Sequence, residues 1–162
     1  MHTADLCDLY GSKVRLCKLK FISYGKNKVF SGPIHTVRVY EDNVLVKDAI
    51  SSIPTGAVLV IDGGGSRECA LVGGNLAALA EKRGLSGMIV YGCVRDVHEL
   101  QNCQLGILAL GACPVKSRKE GTGSRDVTVS FGDLSWEPGN YVFADEDGVV
   151  ISAENLLDQS AK

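Results

Sequence analysis

No uninterrupted apolar run in the chain comes near the ~20 residues that a membrane-spanning helix requires. The opening residues, MHTADLCDLYGS, lack the basic flank and apolar core of a secretory signal. A soluble, cytoplasmic protein with no membrane partner is therefore expected. Net charge is also scarce: 17 Lys plus Arg stand against 19 Asp plus Glu, a formal charge of -2. No bulk positive field advertises a nucleic-acid partner, and none is expected to bind directly. The six cysteines include no pair in C-x2-C or C-x4-C spacing, and most sit beside apolar residues. That argues against zinc or a disulfide framework and for free, buried thiols in a reducing compartment. Internal repeats and low-complexity tracts are missing too, and 45% hydrophobic against 22% charged residues is not the balance of a disordered chain. With 162 residues, a single domain spanning 1–162 is expected, large enough to bury a real core.

What is present is a series of short apolar runs that end in polar, glycine-rich mouths. Thr3 is placed to cap a helix through Asp5, Leu6, Leu9 and Tyr10 that Gly11 stops. Ser31-Gly32-Pro33 predicts a break before an alternating strand, Ile34 to Tyr40. After Asn43, an amphipathic helix is expected until Pro54 and Gly56 end it. Ala57 to Ile61 then reads as a buried strand running into Asp62 and three glycines. From Gly74 the period becomes helical, with Leu76, Ala77, Leu79 and Ala80 on one face and Gly84 as the stop. Met88 to Tyr91 is the next strand, so residues 57–91 predict a βαβ unit with parallel strands. Ile107 to Leu110 adds a strand, KEGTGSRD reads as a mobile loop, and Val127, Val129 and Phe131 alternate as another strand. Glu137-Pro138-Gly139 turns, Tyr141 to Ala144 extends, and Asp147-Gly148 returns Val149 to Ser152 as a C-terminal hairpin. The fold class expected from this order is α/β.

Two groups of residues carry chemistry. Gly73-Gly74-Asn75-Leu76 opens a helix, where unpaired amides and the helix dipole suit a carboxylate or phosphate. A plain strand-to-helix turn explains the same glycines, and the loop matches neither G-x-G-x-x-G nor G-x4-G-K-[ST], which disfavours a nucleotide. In MIVYGCVRDVHEL a core strand ends in Arg95, Asp96, His98 and Glu99. Arg95 can grip a carboxylate with two hydrogen bonds or stabilise an enolate oxygen. Asp96 is a hard oxygen ligand for Mg2+ or Mn2+, and Glu99, three residues on, can order water beside it. The pair also fits a strand cap or a contact with another subunit. With no second His or Cys at helical spacing, His98 reads as an exposed bystander. Asp62 is either a neighbour of the metal or a turn cap. No lysine near Gly74 or Arg95 is placed for a Schiff base, and Lys82 should face solvent.

The stretch VIDGGGSRECALVGGNLAALAEKRGLSGMIVYGCVRDVHEL, the start Ala4-Asp5-Leu6-Cys7-Asp8 and the late segment SFGDLSWEPGNYVFADEDGVVIS resemble one family. It contains the regulator of ribonuclease activity A and the class II 4-hydroxy-4-methyl-2-oxoglutarate aldolases. The resemblance implies a compact β/β/α swivelling-type domain, a homotrimeric ring and active sites at subunit boundaries. The aldolases carry G-x20-R-D-x2-[ED], which this chain matches with Gly74, Arg95, Asp96 and Glu99. By that match, amides from Gly73 through Leu76 hold the carboxylate of a 2-oxo acid, Arg95 contacts its oxygens and Asp96 binds a divalent cation. Longer members continue past the last hairpin and supply acidic residues across the boundary; this sequence ends soon after Leu157, which implies a site without them. Two functions follow from the resemblance: an aldolase that also decarboxylates oxaloacetate, or a ring that docks on a ribonuclease or RNA helicase.

Overall fold

The computed structural model describes residues 1–160. Helix α1 (Thr3–Tyr10) leads to two short strands, β1 (Arg15–Leu16) and β2 (Ile22–Ser23), and then to the long β3 (Phe30–Arg38). The middle of the chain alternates: α2 (Val44–Ser52), β4 (Val58–Asp62), β5 (Ala70–Val72), α3 (Gly74–Lys82), β6 (Gly87–Val94), α4 (Val97–Leu100) and β7 (Gly106–Ala112). The last third is mostly strand: β8 (Ser124–Arg125), β9 (Val129–Phe131), β10 (Leu134–Trp136), β11 (Tyr141–Ala144) and β12 (Val149–Ser152), before α5 (Leu156–Ser160). None of the described helices is long and apolar enough to cross a membrane.

The main sheet runs in the order β1-β12-β11-β3-β4-β6-β7-β2, with β5 added to β6 and β8 to β3. Its centre, β3, β4, β6 and β7, is parallel, because each connection carries a helix that returns the chain to the same end. The alternation of side chains along these strands builds two cores. Leu59, Ile61, Met88, Val90 and Ile107 face α2 and α3, where Val46, Ile50, Ala77 and Ala80 meet them. Val58, Val60, Ile89 and Leu108 face the other way, onto the β9–β10 hairpin and β11–β12. Phe131 stacks between Tyr91 and Trp136, each ring centroid 4.8 Å away, and so fastens the hairpin to β6. The result is the expected α/β fold in β/β/α layers.

Three expectations need correction. Ser31-Gly32-Pro33 lies inside β3, because residues 30–33 pair antiparallel with β11 whereas Ile34 onwards pairs parallel with β4. Pro33, which has no N–H, marks the change of partner, and a Cβ on Gly32 would collide with the Gly56 carbonyl. Thr3 is inside α1 with His2 at the cap; its N–H and hydroxyl both donate to Asp145 at 2.7 Å, docking the helix on the β11–β12 turn. The segment KEGTGSRD is tied down. Part of it forms β8, and the Asp42 carboxylate accepts from the Glu120 and Gly121 N–H groups at 2.6 and 3.1 Å.

Candidate active site

The parallel strands end where the site begins, the position at which open α/β sheets keep their ligand crevices. Strand β5 takes the place beside β6 that β4 leaves after Asp62, and Arg95 N–H donates to the Val72 carbonyl at 2.9 Å. The pairing brings the two strand ends, Val72-Gly73 and Val94-Arg95, side by side. Strand β6 shifts register between Val90 and Cys93, an irregularity of the kind that re-aims side chains near sites.

At Asp96 the backbone enters the left-handed region, φ 59° and ψ 45°. For a side-chain-bearing residue this costs roughly 1–2 kcal/mol, and Asp is among the types that tolerate it best. The turn swings the Asp96 carboxylate back onto α3, where Oδ2 accepts the Gly74 N–H at 2.8 Å. Negative charge at the positive end of the helix is favourable.

Neither Gly73 nor Gly74 has a positive φ, so backbone conformation does not explain them. Close approach does. A Cβ on Gly73 would stand 2.8 Å from Asp96 Oδ2 and 3.2 Å from Arg95 Cγ, and one on Gly74 would collide with the Glu99 carboxylate. The glycines are a floor on which Arg95, Asp96 and Glu99 close. Because Asp96 already occupies the Gly74 amide, a bound carboxylate is left the N–H groups of Asn75 and Leu76, which helix geometry leaves without intrahelical acceptors. Arg95 is anchored by one long 3.4 Å contact from Nη1 to the Pro114 carbonyl, leaving most of its donors for a ligand.

These groups open into a cleft of about 710 Å3, lined also by Lys47, Asp48, Lys116 and Lys119. The three lysines escape a reading by spacing, because they come from α2 and from a segment some seventy positions later. A cluster of charge, KSRKE, was the one signal in the sequence. Asp62 Oδ1 accepts the Gly64 N–H at 2.9 Å, as a turn cap does, and its Oδ2 lies 4.0 Å from the Arg38 guanidinium. His98 and Lys82 are exposed, as expected.

All six cysteines are free; Cys7 is exposed and Cys113 half-buried, and the other four are buried. Burial pushes the Cys17, Cys69, Cys93 and Cys103 thiols up, which keeps them protonated and unreactive.

Asp42 is buried directly before Asn43 and Val44, which line the cleft. Burial alone would raise its pKa, but N–H donors from Val44, Glu120, Gly121 and Thr122 outweigh that and hold it below the ordinary carboxylate range. Its stabilising contribution is complete above the unfolded value of about 3.9 and is lost as pH falls through the lowered folded value. Asp42→Asn, which turns an amide donor towards those N–H groups, is expected to cost about 1–3 kcal/mol at neutral pH. The cost should shrink below pH 4. Melting curves from pH 7 to 3 check this; a constant gap between variant and wild type would contradict it.

The donor set fits a hard divalent cation. Asp96 and Glu99 supply carboxylate oxygens beside the same glycine, and among the described residues no three His, Cys, Asp or Glu converge as a full protein cage. Mg2+ and Mn2+ suit such a place, since one or two carboxylates hold them while water and substrate fill the remaining positions.

A strand-end cleft where the α3 N-terminus, the Arg95 guanidinium and the Asp96 carboxylate meet, with Glu99 beside the same glycine floor, marks an α/β protein with a candidate site for small anions. Comparison with known proteins gives the family. The Aldolase/RraA family model matches residues 3–151, and the chain belongs to the RraA-like family. It is 52% identical over 154 residues, 95% of this chain and 97% of the relative, to a Bacillus cereus protein provisionally named 4-hydroxy-4-methyl-2-oxoglutarate aldolase. It is similar to a Geobacillus kaustophilus HTA426 crystal structure described as S-adenosylmethionine: 2-dimethylmenaquinone methyltransferase, with TM-score 0.97, 54% identity and 98% of both chains covered. It also resembles the RNA-processing inhibitor RraA from Thermus thermophilis, with TM-score 0.92, 43% identity and coverage of 95% of this chain and 93% of the other.

Proposed function

We propose that this chain is a class II aldolase that cleaves 4-hydroxy-4-methyl-2-oxoglutarate to two pyruvates, and that the same site decarboxylates oxaloacetate. The observation that carries the reading is the convergence of Arg95, Asp96 and Glu99 on the glycine floor of α3. A quinone methyltransferase would need an apolar cleft for a lipid-like acceptor, whereas this one carries Arg95 and three lysines.

In the mechanism, the Asn75 and Leu76 amides and the α3 dipole hold the C1 carboxylate. Arg95 lies beside the 2-oxo oxygen and stabilises the negative charge that grows there as the C3–C4 bond breaks, an effect worth on the order of 10²–10³ in rate per donor. A Mg2+ or Mn2+ ion held through Asp96, with Glu99 alongside, would supply Lewis-acid polarisation of the oxo group. Glu99 takes the proton of the 4-hydroxyl, directly or through water; C4 becomes the carbonyl of the first pyruvate, and the remaining enolate is protonated at C3 to give the second. Loss of carbon dioxide from oxaloacetate leaves the same enolate, so the two activities share Arg95. Glu99→Gln is expected to lower kcat at least tenfold. An unchanged rate would remove Glu99 from this role.

A homotrimer with sites at subunit boundaries belongs to the same proposal. Val97 and Val115 are 39% and 55% exposed, and a second hollow of about 270 Å3 is lined by Arg95, Asp96, Val97 and Ala112 to Pro114. Light scattering on the purified protein should return three times the chain mass; a monomer would refute the shared boundary.

The likeness to the Thermus inhibitor supports a second reading, a ring that binds a ribonuclease or an RNA helicase. Such docking would be indifferent to EDTA and to Arg95→Ala, and pyruvate release would lose its rate with both.

A further inference from the structure

At the β1 end of the main sheet lies a hollow of about 350 Å3 that shares no lining residue with the cleft. The chemistry above makes no use of it. Its walls are built on rigid elements. Strand β1 pairs antiparallel with β12, Arg15 opposite Ile151, which places Arg15 beside the end of that strand. The turn from Glu137 to Asn140 supplies another side. Asn140 N–H donates to the Glu137 carbonyl at 3.1 Å, Gly139 N–H to the Ile34 carbonyl at 2.9 Å, and Ile34 N–H to the Asn140 carbonyl at 2.7 Å, so the turn is pinned to β3. Ile151 and Ser152, 2% and 4% exposed, are the most deeply buried of the lining residues.

The charges in this hollow are only partly matched. Lys13 and Glu154 pair with each other at 3.0 Å. Arg15 and Glu137, among the described residues, make no ion pair and no side-chain hydrogen bond, and they are not within salt-bridge range of each other. The Ser152 hydroxyl accepts the Glu154 N–H at 3.2 Å but, among the described residues, finds no acceptor for its own proton. Polar groups as buried as this are normally satisfied. An anion alone would answer Arg15 and face the Glu137 carboxylate; a cation alone would meet the reverse. A molecule that carries both charges answers both.

We propose that this hollow is a second binding site, for a small zwitterion of the α-amino-acid class. The Arg15 fork holds the carboxylate through two parallel hydrogen bonds, and the Ser152 hydroxyl donates a third. The Glu137 carboxylate accepts from the ammonium. The Ser135 hydroxyl and the Asn140 amide, which line the same hollow, suit a short polar side chain. The volume is near the lower end of the ligand-pocket range of about 300–1,000 Å3, which fits a free amino acid rather than a nucleotide.

Calorimetry on the intact protein with each of the proteinogenic amino acids tests the site. At least one should bind with a dissociation constant of about 1 mM or below. Its N-acetyl derivative, which has lost the ammonium, and its carboxamide, which has lost the carboxylate, should each bind at least about tenfold more weakly, the loss of one charge-assisted hydrogen bond. Arg15→Met and Glu137→Gln, on different elements and each shown by melting to be folded, should weaken the amino acid by a similar factor. Arg95→Ala, in the other cleft, should leave its binding unchanged. If no amino acid binds that tightly, the site is refuted. A derivative that binds as well as its parent would make the hollow a site for one charge only and overturn the zwitterion. Binding that survives both Arg15→Met and Glu137→Gln, or that is lost in Arg95→Ala, would place the amino acid elsewhere and overturn the proposal as well.

Discussion

Asp96→Asn is expected to abolish pyruvate release, lowering kcat/KM by at least ~10³-fold, while the protein still folds. The asparagine tolerates the left-handed backbone at φ 59° and keeps an oxygen for the Gly74 N–H, so the local turn survives. What it loses is the negative charge that would hold a divalent cation against the substrate. Asp96→Ala should be as inactive and less stable as well, because alanine adopts that conformation poorly and leaves the first amide of α3 unpaired. The pair of variants divides charge from architecture: circular dichroism and melting identify the structural part, and steady-state kinetics the chemical one. If Asp96→Asn kept more than a tenth of wild-type kcat/KM, the cation site would lie elsewhere.

The second large effect is on the fold. Gly87 and Gly106 are register partners on β6 and β7, and the Phe30 ring lies flat across both. A Cβ on Gly106 would overlap that ring, which is 7% exposed and packed in the core against β9–β12. Gly106→Ala should therefore destabilise by about 3 kcal/mol or more, at or above the upper end of ordinary overpacking. For a chain of this size that lowers Tm by roughly 10 °C. Adding Phe30→Leu should recover part of the loss by making room. A Tm within 2 °C of wild type would show that β3 can shift away from the sheet.

Much of this protein was legible in its sequence because apolar runs and their punctuation are local. The βαβ unit, the Gly84 stop and the 147–148 turn follow from side chains that are neighbours in the chain. The motif Gly74, Arg95, Asp96 and Glu99 was legible through resemblance, and the structure places all four in contact range around one helix start. What could not be read depends on partners distant in sequence. Strand β5 has only three residues, too few for a period, and exists because β6 outruns β4. The 119–126 segment is polar and glycine-rich, the pattern of a free loop, and what holds it, the buried Asp42 and the pairing of β8 with β3, lies far upstream. The lysine wall has the same origin: Lys47 and Lys119 meet across a cleft that no spacing rule describes.

The most direct test is pyruvate release from 4-hydroxy-4-methyl-2-oxoglutarate by the wild-type protein, in Mg2+ or Mn2+ and again in EDTA. Two pyruvates per substrate consumed, at a rate well above the metal-only background and lost on chelation, is the predicted result. No release above that background would contradict the aldolase and leave the ring that binds a ribonuclease.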